Sequence, residues 1–568
     1  MSKVHILPNE VISRIAAGEV IERPTSVVKE LLENSLDAES TDIKVELKDG
    51  GKTYIKVKDN GIGVEPDDIE KIFLRHATSK IKKIEDLYTI FSLGFRGEAL
   101  YSISSVSDIV FRSKTVSSDI GWEIHLRGGK KISLKPINME VGTEIEVKEL
   151  FFNTPVRRKF LKSNSVELNY ILNIFIPYTF LYFKNRFSLK HNNKVLLELY
   201  PEENPLIRIS KVLNLEKDHI IDVKPVLFEN ISIHILLGDI NIKRAKKDMQ
   251  FIFVNNRPVQ NKSLSFTINK VYEKIFPKNV YPFFTIFLNL PPEKVDVNIH
   301  PTKREVKIED EFNIVSKIGL FCEHTILSLG KPKQVIIPFK EEKQIKEEKE
   351  LQITEEIKET QEQYFFQSEK ENLISEEKYK TLKDKLSHSV YIGSFINKYL
   401  IFSSEESLLL MDQHAVCERI TYEKFKQQIN EGKIQVQNFL TPILLKLSIQ
   451  EMIIWQEGKK KLEEIGFETT LWDKETIAVH SSPTLIKNPE ISIRSLLSGE
   501  NISNYDTDTI AKLACRQSVM AGQLLTEEEA LFLRNELLLC KEPFVCPHGR
   551  PTVVEISEKF IDKQFLRI

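Results

Sequence analysis

Cysteine is scarce in this chain, and so are long apolar runs and any excess of one charge. Five cysteines in 568 residues, an odd number, argue against a disulfide framework and for a reducing compartment. The most apolar run, residues 170–183, contains Asn173 and Pro177 and is shorter than the ~20 residues of a membrane span. No signal peptide is expected from the first residues. We therefore expect a cytoplasmic protein that does not enter a membrane.

A global basic signal is also lacking, because the net charge is −2. Any nucleic-acid surface must therefore be local. The length predicts roughly three domains of ~100–200 residues each. Residues 340–385 contain 10 lysines against 14 acidic residues, with neither glycine nor proline, which is typical of a disordered tether.

A helix is predicted to start at Pro24, since proline suits the first helical position. Glu30 and Asn34 are four residues apart in it and project toward one region. A carboxylate there can accept a proton from water, and an amide oxygen can bind Mg²⁺. Taken alone, the two residues also fit an ordinary exposed pair.

Two alternating strands, residues 43–47 and 54–58, follow this helix. The second runs into Asp59-Asn60-Gly61-Ile62-Gly63, where a carboxylate could accept a hydrogen bond from an exocyclic amine and the glycines permit close backbone approach. The loop 94–99 contains two glycines and opens a helix, so that its free N–H groups suit a phosphate. A later strand, residues 142–147, has Thr143 at its entry.

These segments resemble, in order and spacing, the four motifs of the GHKL ATPase superfamily: Glu30 with Asn34, Asp59-x-Gly61-x-Gly63, Gly94 to Ala99, and Gly142-Thr143. Residues 15–20, 30–38, 77–80 and 94–99 are similar to the MutL family of mismatch-repair ATPases within it. The resemblance implies an ATP-binding α/β sandwich with Glu30 as general base, Asn34 as Mg²⁺ ligand and Asp59 as adenine reader. It implies these nucleotide-binding residues: Asn34, Asp59, Gly61, Gly63, Thr78, Lys80, Gly94, Phe95, Arg96, Gly97, Glu98, Ala99 and Thr143.

Further strands are predicted at residues 231–237, 250–259 and 283–290. Together with the segment 295–306 they resemble the transducer domain of the MutL family, which has a ribosomal-S5-like fold. The resemblance implies that Lys303 reaches the γ-phosphate of ATP. Without the motif, Lys303 would be taken for a surface lysine.

Basic residues are concentrated in two short runs despite the neutral net charge. Such runs could contact DNA phosphates without reading bases, or could simply be solvated. The candidate DNA contacts are Arg157, Arg158, Lys243, Arg244, Lys246 and Lys247.

The segment from Asp412 to Glu423 gathers several groups that can hold a divalent cation. His414 and Glu418 at i and i+4 would lie on one helix face. Glu423 is about 140° away from Glu418 around such a helix. Asp412 could instead be an ordinary helix cap.

This segment, with Ala514-Cys515-Arg516 and the run 546–551, resembles the endonuclease-bearing branch of the MutL family. The resemblance implies a site for Zn²⁺ and/or Mn²⁺, with Asp412, Glu418 and Glu423 as candidate catalytic residues. The implied metal ligands are His414, Glu418, Cys515, Cys546 and His548. Cys417 and Cys540 are expected to be packing thiols, and a purely structural zinc site is the open alternative.

Two segments resemble docking peptides for the replication sliding clamp. The first contains Gln437, Leu440 and Pro442 and fits a Gln-x-hydrophobic-Leu-x-Pro pattern. The second, residues 450–453, continues in a helical pattern and is expected in the core. An apolar group in the linker, within residues 361–366, is a further candidate.

The sequence thus predicts an α/β (α+β) multidomain chain that binds and hydrolyses ATP and nicks DNA in a metal-dependent way during mismatch repair. The predicted boundaries are 1–205 for a GHKL ATPase domain, 206–330 for the transducer, 331–387 for the linker, and 388–568 for a dimerisation and endonuclease domain with a regulatory insertion at about 437–505.

Expected cofactors are ATP and Mg²⁺ besides the C-terminal metal. Expected partners are double-stranded DNA, a MutS-type mismatch sensor, the sliding clamp and a second copy, with a heterodimer left open, at the nucleoid during repair. The alternatives are a non-enzymatic matchmaker and another GHKL machine, such as a topoisomerase subunit or a chaperone.

Overall fold

The computed structural model is described for most of the chain. The described residues are 21–80, 93–94, 97–228, 230–244, 246–276, 280–296, 306–328, 376–497, 502, 505–514, 525–547 and 549–565. They form two compact units. The first lies within residues 1–327, 438–482 and 493–505, and the second within 328–437, 483–492 and 506–568.

An eight-stranded sheet organises the first part of unit one, in the order β5-β4-β3-β6-β2-β1-β7-β8. Its strands are β1 Asp42–Lys48, β2 Tyr54–Asp59, β3 Asp108–Lys114, β4 Gly121–Arg127, β5 Lys130–Ile137, β6 Gly142–Lys148, β7 Arg186–His191 and β8 Lys194–Leu199. The helices are α1 Pro24–Asp37, α2 Ala99–Ser105, α3 Pro155–Lys159, α4 Asn164–Leu181 and α5 Pro205–Leu213. The predicted start of α1 at Pro24 is confirmed.

Helix α1 lies between the sheet and α4 because one of its faces is apolar. Val27, Val28, Leu31 and Leu32 are all buried in a single core with residues of β1, β2 and α4. The apolar run predicted as a core element lies largely in α4, where most side chains are buried. The polar face of α1 is left to project Glu30 and Asn34.

A five-stranded sheet follows, in the order β13-β12-β15-β10-β9. The elements of this region are β9 Ile220–Phe228, β10 Ile231–Gly238, β11 Lys243–Arg244, β12 Gln250–Val254, β13 Arg257–Val259, α6 Lys262–Tyr272, β14 Tyr281–Pro282, β15 Phe284–Asn289, β16 Val295–Asp296, β17 Lys307–Ile308 and α7 Glu311–Ser328. Phe251 packs edge-on against Phe180 of α4, with ring centroids 5.1 Å apart. The five-stranded sheet therefore packs against helix α4 through apolar side chains.

Residues 438–482 and 493–505 complete unit one. The elements in and around them are β21 Val436–Lys446, α10 Ile449–Glu464, β22 Thr469–Leu471, β23 Thr476–Pro483 and α11 Pro489–Leu497. The strands form a sheet in the order β21-β23-β22. Ser448 and Glu451 form a capping box that starts α10.

Unit two contains a four-stranded sheet, in the order β18-β19-β20-β24. Its elements are α8 Glu376–His388, β18 Val390–Phe395, β19 Tyr399–Ser403, β20 Ser407–Asp412, α9 Gln413–Glu431, α12 Thr507–Ala514, α13 Glu527–Leu539, β24 Val553–Ser557 and α14 Glu558–Gln564. Helix α8 overlaps the last part of the predicted linker, residues 376–387. The predicted linker residues 331–375 fall outside the described ranges. No helix within those ranges is both long and apolar enough to cross a membrane.

Candidate functional site

The carboxyl group of Asp59 is held at the end of β2 by two hydrogen bonds. Ser35 Oγ donates to Oδ2 at 2.8 Å and the Gly61 N–H donates to Oδ1 at 2.9 Å. Burial raises the pKa of Asp59, and these hydrogen bonds oppose the rise. The group is therefore fixed in direction before any ligand arrives.

Thr143 lies directly opposite Asp59 in the antiparallel pair of β2 and β6. Its hydroxyl is 3.2 Å from that of Ser113 on β3. The predicted nucleotide residues Asp59 and Thr143, although 84 positions apart in the chain, are thus brought together by strand register.

Two glycines let the backbone pass close to its neighbours around this site. Gly63 has φ +76°, and a Cβ there would lie 2.2 Å from the Lys114 carbonyl oxygen. Gly97 has φ +62°, and a Cβ there would lie 2.5 Å from the Ala77 carbonyl oxygen. A larger residue at either position would be strained and would clash with backbone.

Glu30 and Asn34 project from α1, and both are half-buried. Asn34 Oδ1 accepts a hydrogen bond from Lys80 Nζ at 3.0 Å. An amide oxygen with a single cationic donor fits a Mg²⁺ ligand, because the cation can replace the ammonium group. Glu30 is itself engaged by other groups.

Asp37 connects Lys80 with the backbone of Leu93 and Gly94, although the sequence analysis did not single it out. Its carboxylate accepts hydrogen bonds from the N–H of Leu93 at 2.9 Å and of Gly94 at 3.1 Å. Lys80 Nζ is 2.5 Å from Asp37 Oδ2. The sequence offered one signal that could have identified Asp37. It follows Asn34 by three residues and so lies on a neighbouring part of the helix surface.

The structure describes some of the remaining residues that were predicted to bind the nucleotide. Thr78 Oγ1 accepts a hydrogen bond from the Lys80 N–H at 3.2 Å. Glu98 Oε1 lies 3.3 Å from His76 Nδ1, and Ala99 begins α2. Three predicted residues fall outside the described ranges: Phe95, Arg96 and Lys303.

In unit two, Asp412 caps α9 as the sequence suggested. Its Oδ1 accepts hydrogen bonds from the N–H groups of His414 at 2.9 Å and Ala415 at 3.0 Å. His414 Nε2 is 3.2 Å from Glu418 Oε1, and this contact raises the pKa of His414 despite its burial. The predicted pair of His414 and Glu418 on one helix face is confirmed.

Cys546 lies in a turn tied to the start of α9. The Asp412 N–H donates to the Thr552 carbonyl oxygen at 2.9 Å, and Arg419 Nε donates to the Val545 carbonyl oxygen at 2.6 Å. Cys515 and His548 lie outside the described residues. Within the described part of the chain, no three His, Cys, Asp or Glu side chains are grouped closely enough to hold a metal ion.

One atom in this region fits a metal ligand. His414 Nδ1 is buried without a hydrogen-bond partner among the described residues. A buried ring nitrogen in that state is costly unless a ligand uses it. Burial raises the pKa of Cys417 to about 11, so this thiol stays protonated and suits the packing role expected of it.

The carboxylate of Glu423 accepts hydrogen bonds from two backbone N–H groups. Its Oε2 accepts from the Lys541 N–H at 2.7 Å and its Oε1 from the Glu542 N–H at 3.2 Å. Both oxygens therefore fasten the start of the segment that leads to Cys546. We leave Glu423 out of the proposed metal site for this reason.

The candidate DNA contacts differ in exposure. Arg158, Lys243 and Lys247 are exposed, while Arg157 and Lys246 are half-buried. Arg244 is only 7% exposed and is ion-paired with Asp248 and Glu451. Its charge is already neutralised, so Arg244 does not belong to an exposed basic surface.

The two clamp candidates lie in different structural settings. Gln437, Leu440 and Pro442 lie on β21, where Leu440 is fully exposed. Gln450 lies in the first turn of α10 and donates to Asn173 Oδ1 at 3.0 Å, and Met452 is buried. The expectation that residues 450–453 belong to the core is confirmed for Met452.

Three protein-family models match the chain. Residues 22–139 match the histidine kinase-, DNA gyrase B-, and HSP90-like ATPase, and residues 214–325 match the C-terminal domain of DNA mismatch repair protein. Residues 392–525 match the MutL C terminal dimerisation domain. The first match spans Glu30, Asn34 and Asp59, and the third spans the start of α9.

Curated relatives match over the full length. DNA mismatch repair protein MutL of Clostridium tetani is 34% identical over 620 aligned residues, covering 100% of both chains. The protein of the same name from Endomicrobium trichonymphae is 34% identical over 597, covering 99% of this chain and 100% of that one. A solved structure, the Aquifex aeolicus MutL ATPase domain complexed with ADP, is 29% identical with a TM-score of 0.41, and the match covers 56% of this chain and 100% of that one.

Proposed function

This chain belongs to the MutL family of DNA mismatch repair proteins and is an ATPase of the GHKL type, and from that premise we propose that it also nicks DNA through a metal site in unit two. The observation that supports the nicking activity is the start of α9. There Asp412, His414 and Glu418 lie within two helical turns, and the segment around Cys546 is hydrogen-bonded to this helix region from both sides, through Val545 to Arg419 and through Thr552 to Asp412.

The proposed metal ligands are His414, Glu418 and Cys546, completed by Cys515 and His548. Imidazole and thiolate together suit Zn²⁺, and the carboxylate is the ligand type that Mn²⁺ prefers. A bound cation would polarise a phosphodiester and lower the pKa of an attacking water. The chain's own contribution is to orient the imidazole, which Glu418 does at 3.2 Å, and to hold the Asp412 carboxylate at the helix start, where its negative charge would take part in catalysis.

At the ATPase site we propose that Asp59 and Thr143 receive the adenine end and that Asn34 holds Mg²⁺. Glu30 would take the proton of the attacking water. The phosphate groups would draw Lys80 away from Asp37, so that nucleotide binding and the Gly94 loop are coupled. We further propose that Lys303 completes this site from the second domain.

The dimerisation domain supports pairing of two chains, and we propose a homodimer, with a heterodimer as the other outcome. Strand β18 is an edge strand, and Val390, Ile392 and Phe395 are exposed on it. Exposed apolar side chains at a sheet edge are typical of an interface. Double-stranded DNA, a MutS-type mismatch sensor and the sliding clamp are the other proposed partners, met at the nucleoid.

Nicking of supercoiled plasmid tests this proposal. The full chain with Mn²⁺ or Mg²⁺ should convert supercoiled DNA to the open circle, and Asp412→Asn should lower the rate by at least about a hundredfold. Asparagine still offers Oδ1 to the backbone, so the helix cap survives while the negative charge is lost. Cys417→Ser, on the same helix, is the matched control and should nick normally.

The competing function is a non-enzymatic matchmaker whose C-terminal metal is structural. A wild-type chain that does not nick, or an Asp412→Asn chain that nicks undiminished, would favour it. In that case a zinc-selective chelator, added with Mg²⁺ in excess, should lower thermal stability while DNA and ATP binding persist.

A further inference from the structure

Arg257 is a buried arginine of the second sheet that contacts the nucleotide region. It begins β13 and is 6% exposed. Its Nη1 donates a hydrogen bond to the carbonyl oxygen of Leu93 at 3.2 Å. Leu93 directly precedes Gly94, the first residue of the glycine-bearing loop.

Leu93 is thereby held on both sides of its own backbone. Asp37 of α1 accepts its N–H at 2.9 Å, and Arg257 binds its carbonyl. Because Leu93 is also buried, the root of the loop has little freedom while both hydrogen bonds persist. One hydrogen bond is made to helix α1 and the other to the five-stranded sheet.

The charges around Arg257 agree with this placement. The pKa values of Tyr178 and Tyr182 are both raised, mainly by burial. The positive charge of Arg257 opposes this rise in both cases. Tyr178 donates to Glu33 Oε1, and Glu33 lies on α1 three residues after Glu30. Arg257 thus lies within electrostatic reach of the helix that bears the general base.

We propose that Arg257 is a positioning residue that couples the five-stranded sheet to the backbone at Leu93 and Gly94, where the glycine-bearing loop begins. The nucleotide would draw Lys80 and the Gly94 N–H away from Asp37, and the Leu93 carbonyl would move with them. Arg257 must then either move with this carbonyl or lose its hydrogen bond to it. Movement of the loop is then transmitted to β13, and the position of β13 biases the loop in return.

The test uses the full-length chain and the variant Arg257→Gln. Loss of a charge-assisted hydrogen bond at the loop root should lower kcat for ATP hydrolysis about tenfold or more. Amide exchange should accelerate at Leu93 and Gly94 and stay unchanged in β1 and β2. A kcat within about twofold of wild type would overturn the proposal.

Arg208→Gln is the matched control. Arg208 is fully buried and donates to several carbonyls, among them Phe183 at 2.8 Å and Tyr200 at 2.7 Å, without contacting the loop. Its loss should lower the thermal midpoint and accelerate exchange throughout unit one. If Arg257→Gln produces that same global pattern, its role is merely structural.

A measurement on the unmodified chain covers the case in which Arg257→Gln does not fold. Addition of adenylyl imidodiphosphate with Mg²⁺ should change amide exchange in β12 and β13 together with that in residues 93–99. Exchange that changes in the loop and not in these strands would equally overturn the coupling.

Discussion

Arg244 and Glu451 form a buried ion pair between segments 207 residues apart, with Nη2 and Oε1 2.9 Å from each other. Arg494 Nη1 lies 3.7 Å from the other carboxylate oxygen. Burial opposes ionisation of Glu451, yet the two arginines hold its pKa below the ordinary value. The pair fixes the start of α10 against the second domain of unit one.

Breaking this pair should be costly. Arg244→Gln leaves a buried carboxylate with less compensation, and we expect a loss of about 3–5 kcal/mol in the free energy of unfolding. Lys461→Glu, which breaks an exposed pair on the same helix, should cost at most about 1 kcal/mol. Because the pKa of Glu451 is depressed, the stabilisation is present at neutral pH and is lost as the pH falls through that pKa. Denaturant titrations at several pH values measure both effects.

Asp59→Asn should have opposite effects on stability and on binding. The folded-state pKa of Asp59 is raised, so its stabilising contribution disappears as the pH rises through that pKa. A neutral amide should therefore raise the thermal midpoint of the nucleotide-free chain at neutral pH. ATP affinity should fall about tenfold or more with the loss of the charged acceptor.

The pH profile of ATP binding checks the same residue. Wild-type affinity should weaken on acidification at a higher pH than an ordinary aspartate would give. The Asp59→Asn profile should be flat over that range, and parallel profiles would count against Asp59 as the adenine reader.

Glu30→Gln should separate binding from hydrolysis. The amide cannot accept the proton of water, so kcat should fall by about 10²–10⁴, while ATP affinity stays within a few-fold. Asn34→Ala should instead weaken Mg²⁺-ATP binding itself. Equal losses of affinity in the two variants would contradict these separate roles.

DNA binding should depend on exposed lysines and not on Arg244. Lys243→Glu with Lys247→Glu should weaken binding to non-specific duplex and reduce the salt slope by about 0.9 per lost phosphate contact. Lys217→Glu with Lys224→Glu changes the charge equally in the same domain and is the control. If both pairs act alike, net charge rather than a defined surface governs binding.

Clamp docking should require β21. Gln437→Ala with Leu440→Ala is expected to abolish binding to the sliding clamp, because Leu440 offers a fully exposed anchor. Gln450→Ala should leave it intact. Retained binding in the double variant would direct attention to residues 361–366.

The sequence was most informative where the chemistry is local. Pro24 at the first helical position, Glu30 and Asn34 one turn apart, and Asp412 before α9 each follow from short-range rules, and the helices begin where those rules place them. The strand that ends at Asp59 was also predicted correctly, from the alternation of apolar and polar residues.

Contacts between residues that are distant in the sequence could not be predicted from it. Arg244 looks like one of several cations in a basic run, and only tertiary packing shows that Glu451 buries it. Arg257 has no local pattern that connects it with Leu93. The register that sets Thr143 opposite Asp59 depends on pairing between distant strands.

The Asp59–Thr143 pairing has a thermodynamic consequence. In the proposed nucleotide site, strand register would hold the base end, whereas hydrogen bonds to Asp37, which the nucleotide must displace, would hold the phosphate end. Adenosine should therefore bind with little ordering of the protein, because its subsite exists beforehand. Each added phosphate should bring a more favourable enthalpy and a larger entropic penalty. The binding enthalpy should therefore report the number of phosphates on the ligand, while the base makes the same contribution to each ligand.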